Sequence, residues 1–145
     1  MAKLAWSLLC RRVIVDETTK LASAIDVLEG FEFQTKPDVT KIEGLSLEFA
    51  AVCLWTRSDT SKPETVRQRL RLEGPDPKLN APPPWEAVVD LVKTRNHRNV
   101  FLFQGFPYLG EGDYVFHVEL QEGARWTEQS RMVLTVKRKA VAPES

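Results

Sequence analysis

The sequence predicts an all-β fold: a two-layer antiparallel β-sandwich of about eight strands, immunoglobulin-like or C2-like in architecture. Three observations carry this reading. Leu45, Leu47, Phe49, Ala51, Cys53 and Trp55 alternate without a break, the period-2 pattern of a strand with one buried face. The turn Gly110-Glu111-Gly112-Asp113 feeds an alternating run from Tyr114 to Leu120, and a second run, Met132 to Val136, returns along it. Residues 74–84 hold five prolines, which excludes helix and central strand there, because proline lacks a backbone donor and restricts its predecessor.

The other elements follow in order. A strand over residues 4–15 places Leu4, Trp6, Leu8 and Cys10 on one face, with a kink at Arg11-Arg12. Residues 16–20 form a polar turn. A second strand over 21–33 carries Ile25, Val27, Phe31 and Phe33 on one side, and Gly30 inside it marks a bulge or bend. These two strands make an opening hairpin. A connection over 34–44, broken by Pro37, leads to the third strand at 45–56. The other face of that strand changes from polar (Ser46, Glu48) to apolar (Ala50, Val52, Leu54), so a loop or a partner should cover it. After a polar loop, a fourth strand at 65–73 alternates Val66, Gln68, Leu70 and Leu72 with Arg67, Arg69 and Arg71. Residues 85–93 suit helix or strand; strand is preferred, since Val100-Phe101-Leu102-Phe103 would pair with it across 94–99. Tyr114 is open between two roles, a tyrosine corner that pins a crossover and a plain core aromatic. Length predicts one domain over 1–139 and a flexible tail at 140–145.

Composition removes several function classes. Lys plus Arg equals Asp plus Glu, so no global field draws the chain to nucleic acid or anionic lipid, and attraction must come from a local patch. No apolar run approaches the ~18 residues of a membrane helix. The apolar stretch near the N-terminus ends in Arg11-Arg12 rather than a small-residue cleavage site, unlike a signal peptide. Cys10 and Cys53 both precede Trp55, which is not the immunoglobulin order of a Trp between two cysteines. Reduced, buried thiols and a cytoplasmic protein are expected.

Three segments together resemble a known family: Leu8-Leu9-Cys10-Arg11-Arg12-Val13-Ile14-Val15-Asp16, then 20–31 from Lys20 to Phe31, then Gly112-Asp113-Tyr114-Val115-Phe116-His117-Val118. The chain is similar to a family of bacterial and phage-associated β-sandwich proteins with no established activity. Two positions depart from that pattern: Asp26 stands where the family has glycine, and no proline precedes the glycine of the closing turn. The resemblance implies a compact sandwich of bacterial cytoplasmic or phage-linked origin and implies no chemistry.

Candidate sites are few. His97 falls in a turn and His117 on the solvent face of the closing strand, twenty positions apart. A zinc site needs three or four converging ligands, so no metal is expected. No GxSxG elbow marks a nucleophile, and no glycine loop precedes a helix. Arg67, Arg69 and Arg71 project from one strand face and, with Arg57, would form a cationic strip for an anionic ligand or nucleic acid. The plainer account is a solvated face with Glu neighbours across the strand. Pro83 and Trp85 form a second candidate, a rigid segment with an aromatic anchor; alternatively Trp85 fastens the loop to the sandwich. The expected function is a non-enzymatic interaction or scaffold module without cofactor. Its partner would be another protein or a second copy, met through a sheet face, an edge strand or the proline loop. The ridge (Arg57, Arg67, Arg69, Arg71) is the alternative, with nucleic acid not favoured. An enzyme completed only by oligomerisation is a third.

Overall fold

A computed structural model describes residues 2–35, 42, 44–59 and 61–140, and every regular element among them is a strand. In chain order these are β1 (Ala2–Val15), β2 (Ala22–Val27), β3 (Gly30–Thr35), β4 (Gly44–Leu45), β5 (Phe49–Arg57), β6 (Glu64–Glu73), β7 (Trp85–Leu91), β8 (Asn96–Phe103), β9 (Phe106–Pro107), β10 (Gly112–Glu122) and β11 (Arg125–Ala140). They form a four-stranded sheet β2-β1-β5-β8, a five-stranded sheet β3-β11-β10-β6-β7 and a two-stranded sheet β4-β9. The expected tail begins at residue 140, which closes β11; residues 141–145 lie outside the described residues.

Alternation explains the core. One face of β5 sends Phe49, Ala51, Cys53 and Trp55 inward, as expected, to meet Leu70 and Leu72 of β6, Val89 and Leu91 of β7, and Phe116, Val118 and Leu120 of β10. The inner faces of the two larger sheets thus share one apolar cluster, and each fully buried large side chain contributes about 1.5–3 kcal/mol.

The structure departs from expectation where the chain leaves one sheet for another. Eleven strands appear among the described residues rather than about eight, because two expected strands divide and the short β9 adds one. The strand expected at 21–33 breaks after Val27: β2 pairs antiparallel with β1, whereas β3 pairs parallel with β11 in the other sheet. The pairing is therefore not wholly antiparallel. The strand expected at 45–56 divides into β4, paired with β9, and β5. The hairpin expected between 85–93 and 100–103 does not form. β7 pairs with β6 and β8 with β5: the proline loop returns β7 to the edge of β6, and β8 crosses to the other sheet.

In β1, Leu4 pairs with Trp55 but Trp6 pairs with Leu54, with a bulge between. One extra residue exchanges the faces of all that follows. Leu4 and Leu9 pack on the core, while Leu8 and Cys10 join a separate outer cluster. The two cysteines, free and buried, therefore lie on opposite faces of the same sheet. Burial pushes the Cys53 thiol up to about 11, partly offset by the neighbouring Gln68 side chain.

Tyr114 is both a core aromatic and a pin. Its hydroxyl accepts the Leu109 N–H at 2.5 Å and donates to the Gly110 carbonyl at 2.7 Å, holding the loop before β10. Burial pushes the phenol up to about 12. Tyr114→Phe is expected to cost about 1–2 kcal/mol, since it strands a buried backbone donor. A urea midpoint unchanged from wild type would refute this.

Candidate interaction surfaces

Three surfaces can meet a partner: the outer face of the five-stranded sheet, the proline loop, and the outer face of the four-stranded sheet.

On the first, β6 lies between β7 and β10. Gln68, Leu70 and Leu72 point inward, so period-2 geometry turns Arg67, Arg69 and Arg71 outward, as the sequence predicts. Register sets Arg69 opposite Glu119 and Arg71 opposite His117 on β10. Both arginines bond Glu119 Oε1, Arg69 Nε at 2.7 Å and Arg71 Nε at 3.2 Å. Burial pushes the Glu119 carboxyl up, and the two guanidinium bonds more than reverse this, leaving it below its ordinary range. The Arg69 guanidinium also lies 4.7 Å from the centre of the Trp126 ring. Arg67 is exposed at the far end of the row. Arg57 does not join them. It ends β5 in the other sheet, where Nη1 donates to the Leu91 carbonyl at 3.1 Å and Nε finds no acceptor among the described residues.

His117 is not on a solvated face. It is buried beneath its neighbours, with Nε2 2.8 Å from Glu73 Oε2 and Nδ1 against Glu128 Oε1. Arg131 Nε reaches the same Glu128 oxygen at 2.9 Å. Long charged side chains from β6 and β11 close over the centre of β10, which is why a residue on the outer face is hidden. His97 is not in a turn; it lies in β8 opposite Trp55, and Nε2 sits 2.8 Å from Asn99 Oδ1. The two histidines thus belong to different sheets. Among the described residues no group of three or more His, Cys, Asp or Glu is placed to hold a metal ion.

The carboxyls beside His117 give a pH dependence. The hydrogen bond to His117 holds Glu73 below the usual carboxylate range, and bonds to His117 and then Arg131 do the same for Glu128. Each carboxyl titrates lower folded than unfolded, so the folded state binds fewer protons in acid. Their stabilisation is fully present above the unfolded carboxylate value of about 4.3 and is lost as pH falls through the lower folded values. Thermal midpoints should therefore fall more steeply below pH 5 for wild type than for His117→Gln. Parallel curves would overturn the assignment.

The proline loop lies over the end of the β6–β7 pair. Pro83 and Pro84 are exposed, and Trp85 is half-buried with its ring edge-on to Phe103, centroids 4.9 Å apart. Trp85 thereby fastens the loop, as the plainer account expects. Between loop and β6 is an open groove of about 410 Å³ whose lining includes Arg71, Glu73, Leu79 and Pro83. Arg71 and Pro83, expected in separate sites, share this groove.

The third surface was visible only in part. Register aligns Trp6 with Leu54, Leu8 with Val52 and Cys10 with Ala50 across β1 and β5. It aligns Val52 with Val100 and Ala50 with Leu102 across β5 and β8. All of these turn away from the core. No loop among the described residues covers them: Leu102 is 76 % exposed and Trp6 42 %. Ala50, Val52 and Cys10 are buried, with Leu8 and Val13 packed against them. Arg98, opposite Leu54, adds a charge at one edge.

No known protein-family model matches this sequence, and a comparison with curated proteins also gives no match. Among the described residues no helix is long and apolar enough to cross a membrane.

Proposed function

We propose that this chain is a non-enzymatic interaction module, a two-layer immunoglobulin-like sandwich that docks a protein partner through the outer face of its four-stranded sheet. One observation carries the reading: Trp6, Leu8, Val52, Leu54, Val100 and Leu102 form a contiguous apolar face over three paired strands. A sheet with one solvated face normally alternates apolar-in and polar-out. Here β5 is apolar on both faces. Exposed apolar patches of this kind mark association surfaces. Two free, buried thiols fit a reducing compartment.

Anion or nucleic-acid binding through Arg67, Arg69 and Arg71 is the weaker reading, because two of the three are already paired with one carboxylate, Glu119. A ligand would have to displace a hydrogen-bonded carboxylate. The experiment is affinity capture from cell extract together with sedimentation at several concentrations. It compares wild type with Trp6→Ser/Leu102→Asp and with Arg67→Ala/Arg69→Ala/Arg71→Ala. The reading predicts that the first variant alone loses partner or dimer while remaining folded. Retention by that variant overturns it, and loss by the arginine variant with steep salt dependence favours the ridge.

A further inference from the structure

At the end of the two larger sheets where β5 begins and β8 ends, the layers do not close on each other. A cavity of about 400 Å³ opens there. Trp85 of β7 and Phe103 of β8 keep part of their rings open to it, Phe49 of β5 and Phe116 of β10 lie buried behind them, and the β4–β9 pair brings Leu45 and the buried Phe106 to its rim. The rings hold one another in place. Phe49 and Phe103 stack at 4.6 Å and 21°, Trp85 meets Phe103 edge-on, and Phe49 meets Phe116 at 6.1 Å and 69°. Among the described lining residues none is titratable, and the polar side chains are those of Ser46 and Gln104.

This lining selects its ligand by chemistry. An ion entering would lose part of its water and meet no counter-charge among the described lining residues. The open parts of Trp85 and Phe103 reward a flat ring with offset and edge contacts. The volume lies within the ~300–1,000 Å³ of small-molecule sites. Ser46 and Gln104 supply a donor and an acceptor at the edge, enough for one ring N–H or hydroxyl. The geometry points to a binding site for an uncharged bicyclic aromatic molecule carrying one hydrogen-bonding group, of indole size, between the aromatic end of the two sheets and the β4–β9 pair.

The site is separate from the apolar outer face: its walls are inward-facing residues, and that face is built from the opposite parity. The two ideas can therefore fail independently. Gly105 lines the cavity, and a Cβ there would meet only the Leu45 carbonyl oxygen at 3.7 Å, an ordinary contact, so the position can be enlarged without a clash.

The test is titration of isotopically labelled protein with indole, read by amide chemical shifts. Saturable shifts are expected at Leu45, Ser46 and 104–106, with a Kd of order 1 mM or tighter. Indole-3-acetate at neutral pH should bind at least about tenfold more weakly, for want of a counter-charge. Gly105→Leu and Ser46→Leu should weaken indole by a similar factor without lowering the thermal midpoint. No saturable shift, equal affinity for the charged analogue, or shifts gathered on Trp6, Val100 and Leu102 would each overturn the site.

Discussion

Replacing Gly30 with valine is expected to cost about 3 kcal/mol or more and to release β3 from its sheet. Gly30 opens β3 beside Thr135 of β11. A Cβ built on it would lie 2.8 Å from the Thr135 carbonyl oxygen and 3.5 Å from the Thr135 Cβ. The nearer atom is backbone in a paired strand, so it cannot swing aside as a flexible side chain would. Relief comes only if β3 withdraws, which breaks the bond from Thr135 N to the Glu29 carbonyl at 3.1 Å. Withdrawal also pulls Phe31 from Phe106 and Phe33 from Tyr108, ring pairs at 5.1 and 5.4 Å. Overpacking alone costs about 1–3 kcal/mol, and each half-buried phenylalanine that loses its contacts adds to that. Gly30→Ala already carries the clash and should lose most of the same stability. Urea unfolding gives the energy, and amide exchange over 31–35 reports the strand. Native protection there in Gly30→Ala would show that the glycine is not required.

Gly30 also marks where the sequence was and was not legible. Its presence within an alternating run predicts a bend, and a bend is there. That the bend carries the chain from one sheet to the other depends on which strand receives it, and β11 is about a hundred residues away. Strand identity is local: the alternation in β5, β6 and β10 follows from which side chains avoid water, and a single sequence displays it. Pairing is not local. Val100 to Phe103 is apolar enough to join β7 or β5, and it joins β5 although β7 ends its own sheet with one edge unpaired. The bulge in β1 has no mark in the sequence, since Leu4, Trp6, Leu8 and Cys10 satisfy a straight strand equally well.

The candidate surfaces divide along the same line. The outward row Arg67, Arg69, Arg71 was readable from parity, with Glu neighbours across the strand as the plainer expectation; that the neighbour is Glu119 follows only from the β6–β10 register. Trp126, Glu73 and Glu128 escaped notice for the same reason. The apolar outer face was partly announced by Ala50, Val52 and Leu54. The remaining signal was Val100 and Leu102 alternating with Phe101 and Phe103, a second strand apolar on both faces. Joined to Trp6 and Leu8, it turns a local oddity into a surface.

Gln68→Leu is expected to cost about 2 kcal/mol, despite exchanging a buried polar side chain for a good core residue. Gln68 is wholly buried on the inner face of β6. Its Oε1 accepts Trp55 Nε1 at 2.7 Å and Asn99 Nδ2 at 2.7 Å, so one carbonyl serves donors from β5 and β8 and ties the two larger sheets together. Leucine strands the indole N–H, a penalty of about 1–3 kcal/mol for an unsatisfied buried donor. Asn99 is less affected, since its amide also reaches the Val88 carbonyl at 3.1 Å. A compensating gain limits the total: Gln68 Nε2 has no hydrogen-bond partner among the described residues and lies beside the Cys53 thiol, and leucine removes that donor. A second substitution separates the hydrogen bond from the packing. In Trp55→Leu/Gln68→Leu the stranded donor is gone together with its acceptor. The penalty for Gln68→Leu in that background should then shrink to a few tenths of a kcal/mol or change sign. A double-mutant cycle in urea measures this directly. Equal costs for Gln68→Leu in both backgrounds would mean that the residue acts through packing volume and that the Trp55–Gln68 bond contributes nothing to joining the sheets.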